Sequence, residues 1–438
     1  MNSSFVELRA NLAPEEARIT DRERVAGAMR GFAREFGALS ALRLEACVHC
    51  GMCADACHFY IATEDPQYTP VLKVEPFKQA FKREAGAFAP IFRWFNLKPK
   101  VTAAELDQWQ HLLYDSCNLC GRCSLMCPMG IDIADLIEQA RRGMFEAGLA
   151  PKELYEKAAY QRQTGQPEPT SEPYREQLLA IGQKFGVDIP LDKPQAEVML
   201  TVPRTDIDHY PAAVAAIARV MAHLKVDCTF RTDGLIAENY GYYAGGRDWQ
   251  RRISMRLVDE AVACRAKVLI VPECGHAYSA LRWEAAELLG RPLPFKVQHV
   301  TEYLADALES GRLKLRPANA GVTAFHDPCQ LVRKGGVTEA PRRLMRAMGI
   351  EPTETVRHIG YNICCGGGGG VFDIKRAAPL RYRVIEEKFN EIDSTGAQTF
   401  LTSCSDCRRT FDDGKQHFNW QQTPGSLLEL IAANLRNA

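Results

Sequence analysis

From residue 196 onward, short apolar runs alternate with segments whose apolar residues recur at helical spacing. AEVMLTV at 196–202 and KVLIVPEC at 267–274 have the composition of buried strands, whereas PAAVAAIARVMAHL at 211–224 has the period of an amphipathic helix. GVTAFHD and TFLTSCSDC continue the alternation further along the chain. Strands that alternate with helices predict an α/β domain.

The alternation occurs twice, which indicates a duplication. Each copy has a strand, a helix, a second strand, a loop that contains glycines and a third strand. We predict that only the second copy holds a metal cluster, because the first lacks most of the cysteines of the second. The matched positions, first copy before second, are Tyr242-Tyr243 and Cys364-Cys365, Cys274 and Cys404, Ala277 and Cys407, and Pro203 or a neighbour and Cys329.

Aromatic residues stand near the place of the lost cysteines, at Tyr242, Tyr243 and Trp249. Their rings either fill the space that a cluster would occupy or form the wall of a substrate pocket. Cores and pockets share aromatic lining, so the pattern leaves both alternatives open.

The N-terminal third of the chain has helical period. ITDRERVAGAMRGFAREFG predicts a helix with Asp21 as its N-cap, and three later segments up to residue 150 have the same period. The stretch TGQPEPTSEP, rich in proline, serine and threonine, predicts a linker. The predicted divisions are an N-terminal helix (1–40), a helical cluster domain (41–150), a linker (151–195), a degenerate half-domain (196–318) and a half-domain with intact cysteines (319–438).

Two runs of four cysteines share the spacing C-x2-C-x2-C-x3-C, which is that of bacterial ferredoxins. In such a pair of runs the fourth cysteine of each run binds the other cluster. We therefore predict two cubane [4Fe–4S] clusters. One departure is His58, which stands where proline is usual. The predicted ligands are Cys47, Cys50, Cys53 and Cys127 for one cluster, and Cys117, Cys120, Cys123 and Cys57 for the other.

A third set of cysteines follows the pattern C-x34-C-C-x38-C-x2-C near the C-terminus. Five thiols exceed the four ligands of a tetrahedral zinc ion and suit an iron–sulfur cluster. The glycines 366–370 allow the backbone to come close to such a cluster. The alternative is a zinc site with one extra buried cysteine. The five cysteines are Cys329, Cys364, Cys365, Cys404 and Cys407.

Histidines and basic residues lie close in sequence to the cysteines of this third set. Such histidines are more often hydrogen-bonded structural residues than proton donors. The basic residues either balance the charge of an anionic cluster or dock an anionic substrate. These residues are His276, His326, His358, Arg333, Lys334, Arg408 and Arg409.

The composition restricts the classes of function. Lysine plus arginine and aspartate plus glutamate number 54 each in 438 residues, so nothing indicates a nucleic-acid partner. The first residues are polar, which predicts no signal peptide, and no apolar run has the length of a membrane span. Sixteen cysteines in such a chain indicate metal ligands rather than disulfides, and thirteen belong to the three sets.

The third cysteine set resembles the CCG motif of heterodisulfide reductase catalytic subunits. CVHCGMCADACHFYIATEDPQYTPVLKVE at 47–75 is similar to the N-terminal cluster stretch of the D-type subunit of that family and of the K-type subunit of the sulfite-reduction-associated complex. The resemblance implies a mixed fold, with a helical two-cluster ferredoxin domain followed by duplicated α/β CCG domains. It also implies that the five cysteines hold a noncubane [4Fe–4S] cluster at which a disulfide or trisulfide is cleaved or formed.

The same resemblance implies partners. These are a membrane cytochrome b subunit, other redox subunits and a disulfide substrate or small sulfur-carrier protein. The expected location is the cytoplasm, with peripheral attachment to the inner face of the membrane through the partner.

Two other functions fit the same layout. The iron–sulfur subunits of glycolate and lactate oxidases also pair two cubane clusters with CCG domains, and there the chain relays electrons from a flavin subunit. In the third alternative, an electron-transfer module has a structural zinc ion at the CCG motif.

Overall fold

The computed structural model describes residues 20–84, 89–95 and 101–436, and its chain forms two compact units. The first unit contains the chain up to residue 160 together with 240–250 and 366–384, and the second contains 161–239, 251–365 and 385–438. The first unit thus includes two short segments from the region where the sequence predicts the half-domains.

The first unit is helical. Its two longest N-terminal helices pack through Phe32, whose ring centroid lies 5.6 Å from that of Phe77 and 6.2 Å from that of Trp109. A buried ion pair of 2.9 Å joins Arg24 to Asp107. The helices are α1 (Asp21–Glu35), α2 (Ala38–Ala46), α3 (His58–Thr63), α4 (Pro70–Glu84), α5 (Ala89–Trp94), α6 (Ala103–Gln110), α7 (Arg122–Met126) and α8 (Ile133–Glu146).

The first helix begins one residue earlier than the sequence predicted. Thr20, not Asp21, is the N-cap of α1, because its side chain accepts from the amide of Glu23 while the Glu23 carboxylate accepts from the amide of Thr20. This reciprocal arrangement is the capping box. Residues 1–19 of the predicted N-terminal helix lie outside the described residues.

The predicted linker at 151–195 contains two helices, α9 (Lys152–Thr164) and α10 (Tyr174–Phe185). Leu178 of α10 is fully buried and belongs to the apolar core of the second unit. The proline-rich segment between the helices is irregular, and its role as a linker stays a prediction.

The second unit contains two parallel sheets, which confirms the predicted mixed fold. The first sheet has the order β2-β1-β3-β4, and the second has the order β5-β6-β7. The strands are β1 (Val198–Leu200), β2 (Cys228–Phe230), β3 (Val268–Val271), β4 (Lys296–His299), β5 (Thr323–His326), β6 (Thr399–Thr402) and β7 (Pro424–Ser426).

The two sheets repeat one topology. Thr353 forms a single parallel bridge to Ala324 on the free edge of β5, where β2 lies on β1 in the first sheet. The predicted strand at TETVRH is therefore reduced to this one bridge. The remaining helices are α11 (Arg204–Asp208), α12 (Pro211–His223), α13 (Tyr240–Ala244), α14 (Arg247–Ala263), α15 (Gly275–Ser279), α16 (Ala285–Leu289), α17 (Val300–Glu309), α18 (Glu339–Ala347), α19 (Ala378–Asp393), α20 (Ser405–Phe418) and α21 (Leu427–Ala433).

One apolar core serves both halves of the second unit. It includes Leu200 and Ile217 from the first half and Phe325, Leu344 and Ile431 from the second. Burial of such side chains supplies most of the stabilisation of a fold like this. Among residues 20–84, 89–95 and 101–436, no helix is both long and apolar enough to cross a membrane.

Candidate metal centres

The first four predicted ligands line one cavity in the first unit. Cys47, Cys50, Cys53 and Cys127 share this cavity, and Cys50 is exposed. Burial raises the pKa of the Cys53 thiol to about 11, and the neighbouring Cys47 and Cys127 raise it further. Buried thiols favour the neutral form until a metal ion compensates the thiolate charge.

The second group lines a separate cavity and consists of Cys57, Cys117, Cys120 and Cys123. The structure therefore brings together the two sets that the sequence assigned to separate clusters. Their role as ligands stays a prediction. Burial raises the pKa of Cys123 well above its usual range, and the other three cysteines of the group raise it further.

A buried lysine accompanies the second group, and the sequence did not single it out. Lys73 is 2% exposed, and its ammonium group lies 3.3 Å from the Cys57 sulfur and donates to the carbonyl of Ser116. A fixed positive charge here balances part of the negative charge of thiolate ligands. In the sequence, Lys73 is simply a lysine sixteen residues after Cys57, and this spacing does not indicate that the two side chains lie close together.

His58 and Asn118 connect the two cysteine runs to the glycine segment of the same unit. A ring nitrogen of His58 lies 2.5 Å from the Asn118 side-chain oxygen. The Asn118 amide donates to the carbonyls of Gly366 and Gly368. Gly369 has a positive φ of 62°, and an added Cβ there would lie 2.8 Å from the Asn118 backbone. The glycine is required both by its φ and by this close approach.

The third cysteine set gathers in the second unit, beyond the carboxyl ends of β5 and β6. The sulfurs of Cys329 and Cys364 are 3.7 Å apart. Cys404 is the N-cap of α20, and its sulfur accepts from the amide of Cys407 at 3.4 Å. All five cysteines of the set are buried. A helix N-terminus favours negative charge, so α20 helps to stabilise thiolates at this site.

Hydrogen bonds within the set lower the pKa of one thiol and raise the pKa of another. Hydrogen bonds from Cys364 and Cys407 lower the pKa of Cys365 to about 6, against the effect of burial. The same bond to Cys365 and a second to Cys404 raise the pKa of Cys407. Five converging buried thiols fit a polynuclear iron–sulfur cluster and exceed the needs of one zinc ion.

Polar side chains hold the two loops that carry Cys329 and Cys364. Asn362 donates to the carbonyl of Asp327 at 2.7 Å, and the buried Arg342 binds the Asp327 carboxylate with bonds of 2.9 and 2.8 Å. Arg333 donates to the carbonyls of Gly360 and Asn362 at 2.7 and 3.1 Å. Bidentate ion pairs fix geometry well, so these residues position the cysteines.

The structure thus assigns contacts to two of the flanking arginines. Arg333 supports the loop before Cys364, as above, and Arg408 pairs with Glu429 at 2.5 Å and stacks 4.0 Å from the Tyr210 ring. Both contacts favour a structural role over the docking of an anionic substrate.

His326 lies at the end of β5 and is 1% exposed. Neither ring nitrogen has a hydrogen-bond partner, unlike His358, whose Nδ1 lies 2.8 Å from the carbonyl of Thr355. A nitrogen of His326 lies within 4.8 Å of the sulfurs of both Cys365 and Cys407. The expectation of a hydrogen-bonded structural residue therefore holds for His358 and is wrong for His326.

The degenerate half-domain has carboxylates where aromatic rings were predicted. The amide of Arg204 donates to the Glu238 carboxylate at 2.7 Å, and the Cys274 sulfur lies 3.9 Å from a carboxylate oxygen of Asp406. Because Pro203-Arg204 matches Pro328-Cys329, the Arg204–Glu238 pair takes the place of the Cys329–Cys364 pair. Glu238 lies 34 residues after Arg204, one fewer than the 35 residues from Cys329 to Cys364.

The aromatic residues lie elsewhere, in the first unit. The ring of Tyr243 packs 5.3 Å from that of Tyr240 and 5.9 Å from that of Tyr242, and Trp249 packs 4.9 Å from Phe145. The match of Tyr242-Tyr243 with Cys364-Cys365 was therefore wrong. Tyr242 and Tyr243 belong to the first unit, whereas Cys364 and Cys365 belong to the second.

Burial changes the acidities around Cys274. It raises the pKa of Glu238 to about 8 and that of Glu273 to about 7, with a further increase from nearby carboxylates. It also raises the pKa of Asp206, which accepts a hydrogen bond from Ser405. Burial, followed by the charges of Asp406 and Glu238, raises the pKa of Cys274 well above its usual range.

Comparison with known proteins now identifies the two cysteine-rich regions. Residues 43–131 match the 4Fe-4S dicluster domain, and residues 323–412 match the CCG cysteine-rich domain. Over 407 residues the chain is 26% identical to the D-type subunit of the dihydromethanophenazine:CoB–CoM heterodisulfide reductase of Methanosarcina barkeri, with 91% of this chain and 95% of that protein covered. The chain is thus similar over most of its length to a heterodisulfide reductase iron–sulfur subunit.

A second relative of this heterodisulfide reductase-like family is the Hdr-like menaquinol oxidoreductase iron–sulfur subunit of Archaeoglobus profundus. It is 24% identical over 443 residues, with 89% of this chain and 78% of that protein covered. Both relatives are subunits by name. A solved hypothetical protein from Helicobacter pylori has a TM-score of 0.49 at 10% identity, covering 95% of this chain and 77% of that one.

Proposed function

We propose that the chain passes electrons through two cubane [4Fe–4S] clusters to a noncubane [4Fe–4S] cluster at the CCG motif, where a disulfide or trisulfide is reduced or formed. The observation that carries this proposal is the convergence of five buried thiols beyond β5 and β6. A relay needs only four-cysteine runs, which the chain has twice. A fifth thiol indicates a site with a different task. The ligands of this site would be Cys329, Cys364, Cys365, Cys404 and Cys407.

The overall reaction takes up two electrons and two protons for each disulfide, RS–SR′ + 2e⁻ + 2H⁺ giving RSH and R′SH. Iron–sulfur clusters carry single electrons and can bind sulfur, which is the chemistry the cluster supplies when bound. The residues of the chain hold the reacting centre in place. Arg342 and Asn362 fix the loop that carries Asp327, and burial of the cysteines excludes water from the site.

The proposed partners are a membrane cytochrome b subunit and a disulfide compound or small sulfur-carrier protein. The names of the two relatives support this, since one acts with dihydromethanophenazine and the other with menaquinol. Both are membrane-soluble electron carriers, so a membrane partner fits. Peripheral attachment through that partner would place the chain at the membrane surface.

The test uses protein purified without oxygen and assayed with reduced viologen as electron donor. The wild type should contain about twelve irons per chain, four in each of three clusters, and should reduce a disulfide or a carrier-protein trisulfide. Cys364→Ser should abolish this reduction while the signals of both cubane clusters persist in electron paramagnetic resonance. Cys228→Ser, at a buried cysteine outside all three sets, is the matched control and should keep activity.

Three results would decide against the proposal. About eight irons with one zinc ion would indicate the structural zinc site. Turnover by Cys364→Ser would remove the catalytic role of the CCG motif. A stable complex with a flavoprotein, with no sulfur substrate turned over, would favour the electron-relay function of a 2-hydroxyacid oxidase complex.

A further inference from the structure

The strongest unexplained feature of the second unit is the environment of His326. Both of its ring nitrogens are buried and have no hydrogen-bond partner. Buried polar atoms in folded proteins are nearly always satisfied, so an unpaired imidazole indicates a missing partner. Its ring lies 4.9 Å from the Phe411 ring in an edge-to-face contact.

One ring nitrogen of His326 lies close enough to two cysteine sulfurs to bind the same metal ion. One nitrogen of His326 and the sulfurs of Cys365 and Cys407 all lie within 4.8 Å of one another. Atoms that bind one metal ion at about 2.0–2.3 Å necessarily lie within such a distance of one another. Among the described residues, these three are the histidine, cysteine and acidic side chains that form a group of three or more with ligand atoms this close together.

The degenerate half-domain provides an internal comparison. Thr201 precedes Pro203 by two residues, as His326 precedes Pro328. The Thr201 hydroxyl donates to the carbonyl of Ile270 at 3.1 Å, so the sheet itself satisfies it. The half without the cysteine set therefore has a side chain that needs no metal at this place, whereas the half with the set has an unpaired nitrogen donor.

A second buried histidine shows what a structural role looks like in this unit. His299 ends β4, and its Nδ1 lies 2.8 Å from the Thr301 hydroxyl in the cap of α17. His326 ends β5 without any such contact. The Nε2 of His299 also lacks a hydrogen-bond partner, so His326 is set apart because neither of its ring nitrogens has one and because the sulfurs of Cys365 and Cys407 lie close to it.

We propose that His326 binds the metal centre of the CCG motif through a ring nitrogen, beside Cys365 and Cys407. This rests on the proposed function only in requiring a metal centre at these cysteines. Imidazole is a common ligand of iron and zinc. It is neutral, so it adds no negative charge to the thiolates, and nitrogen ligands raise the reduction potential of iron–sulfur centres relative to thiolates alone.

The test labels histidine with ¹⁵N in the full chain, purified without oxygen. Electron–nuclear double resonance on the paramagnetic state of the CCG centre should show a strong nitrogen coupling that changes with the label. His326→Ala should lose the coupling and keep the signals of both cubane clusters. His326→Cys should shift the midpoint potential of the CCG centre to a more negative value, because a thiolate replaces a neutral ligand.

Two variants serve as controls, one at the buried His299 (His299→Gln) and one at the exposed His358 (His358→Ala). Both should keep the nitrogen coupling. If the wild type contains the cluster but has only weak nitrogen coupling, the ligand role of His326 fails while the proposed function stands. If X-ray absorption instead shows zinc with one nitrogen neighbour, lost in His326→Ala, the proposed function fails and the ligand role stands. Because the wild-type coupling needs no variant, poor folding of a variant leaves the test intact.

Discussion

The two halves of the second unit have the same strand order and different chemistry at the same place. In the second half, the Cys329 and Cys364 sulfurs lie 3.7 Å apart. In the first half, Arg204 and Glu238 are joined by a 2.7 Å hydrogen bond. The sheet therefore does not require a cluster for its topology, and the place beyond the strands accepts either thiols or a carboxylate network.

The first half has buried polar side chains where the second half has thiols. Glu238 is 4% exposed and one of its carboxylate oxygens has no hydrogen-bond partner. Asp206 and Asp406 reach hydroxyl groups across the two halves, to Ser405 and Thr205 respectively. Buried polar groups need such partners. Carboxylates thus stand where the sequence predicted aromatic rings, as a filling or as a pocket wall, and they join one half to the other.

The largest expected effect is a difference in iron content between variants at matched cysteines of the two halves. Cys404→Ala should lower the iron content by about four per chain, because it removes a ligand of the proposed cluster. Cys274→Ala, at the equivalent position of the first half, should leave the iron content unchanged. Metal analysis of both variants checks this. A loss of about four irons in Cys274→Ala would show that the first half also holds a cluster.

A smaller effect tests whether one core serves both halves. Ile217→Ala in α12 and Leu344→Ala in α18 each remove a fully buried side chain from the same apolar cluster. Each should lower the free energy of unfolding by about 2–5 kcal/mol. Denaturant unfolding of the intact, cluster-loaded chain measures this. Two separate unfolding transitions, with each variant affecting one of them, would contradict a single shared core.

The smallest expected effect is a pH dependence of stability at Glu238. Burial, followed by the charge of Asp406, raises the pKa of Glu238 from 4.5 to about 8 in the folded state. A raised carboxyl pKa means that the folded state holds the proton more tightly. Its contribution to stability is full below pH 4.5 and is lost as the pH rises through about 8.

In Glu238→Gln, the free energy of unfolding should therefore fall less between about pH 5 and about pH 9 than it does in the wild type. Denaturant midpoints across this pH range measure the difference. Glu176→Gln, at an exposed position of α10, is the control and should leave the slope unchanged. An equal slope in wild type and Glu238→Gln would show that this carboxyl is ionised in the folded protein across the range.

Local patterns in the sequence predicted several strands, one long helix and the three cysteine sets. The period of apolar residues located β1, β3, β5, β6 and α12, because alternation and helical spacing are set by neighbours in sequence. The cysteine spacings predicted the three sets, and the CCG and 4Fe-4S dicluster matches at 323–412 and 43–131 confirm the two domain types. Such motifs are readable because ligands close in sequence must reach one metal centre.

Only the tertiary structure decided which residues stand in the first half where the second half has cysteines, and which histidine has neither ring nitrogen hydrogen-bonded. Glu238 lies 34 residues after Arg204, and their contact depends on the packing of loops beyond parallel strands. The ring of His326 lies close to the sulfurs of Cys365 and Cys407, whereas that of His299 contacts the Thr301 hydroxyl. Burial and hydrogen bonding are properties of neighbours in space, and the order of residues in the chain does not contain them in readable form.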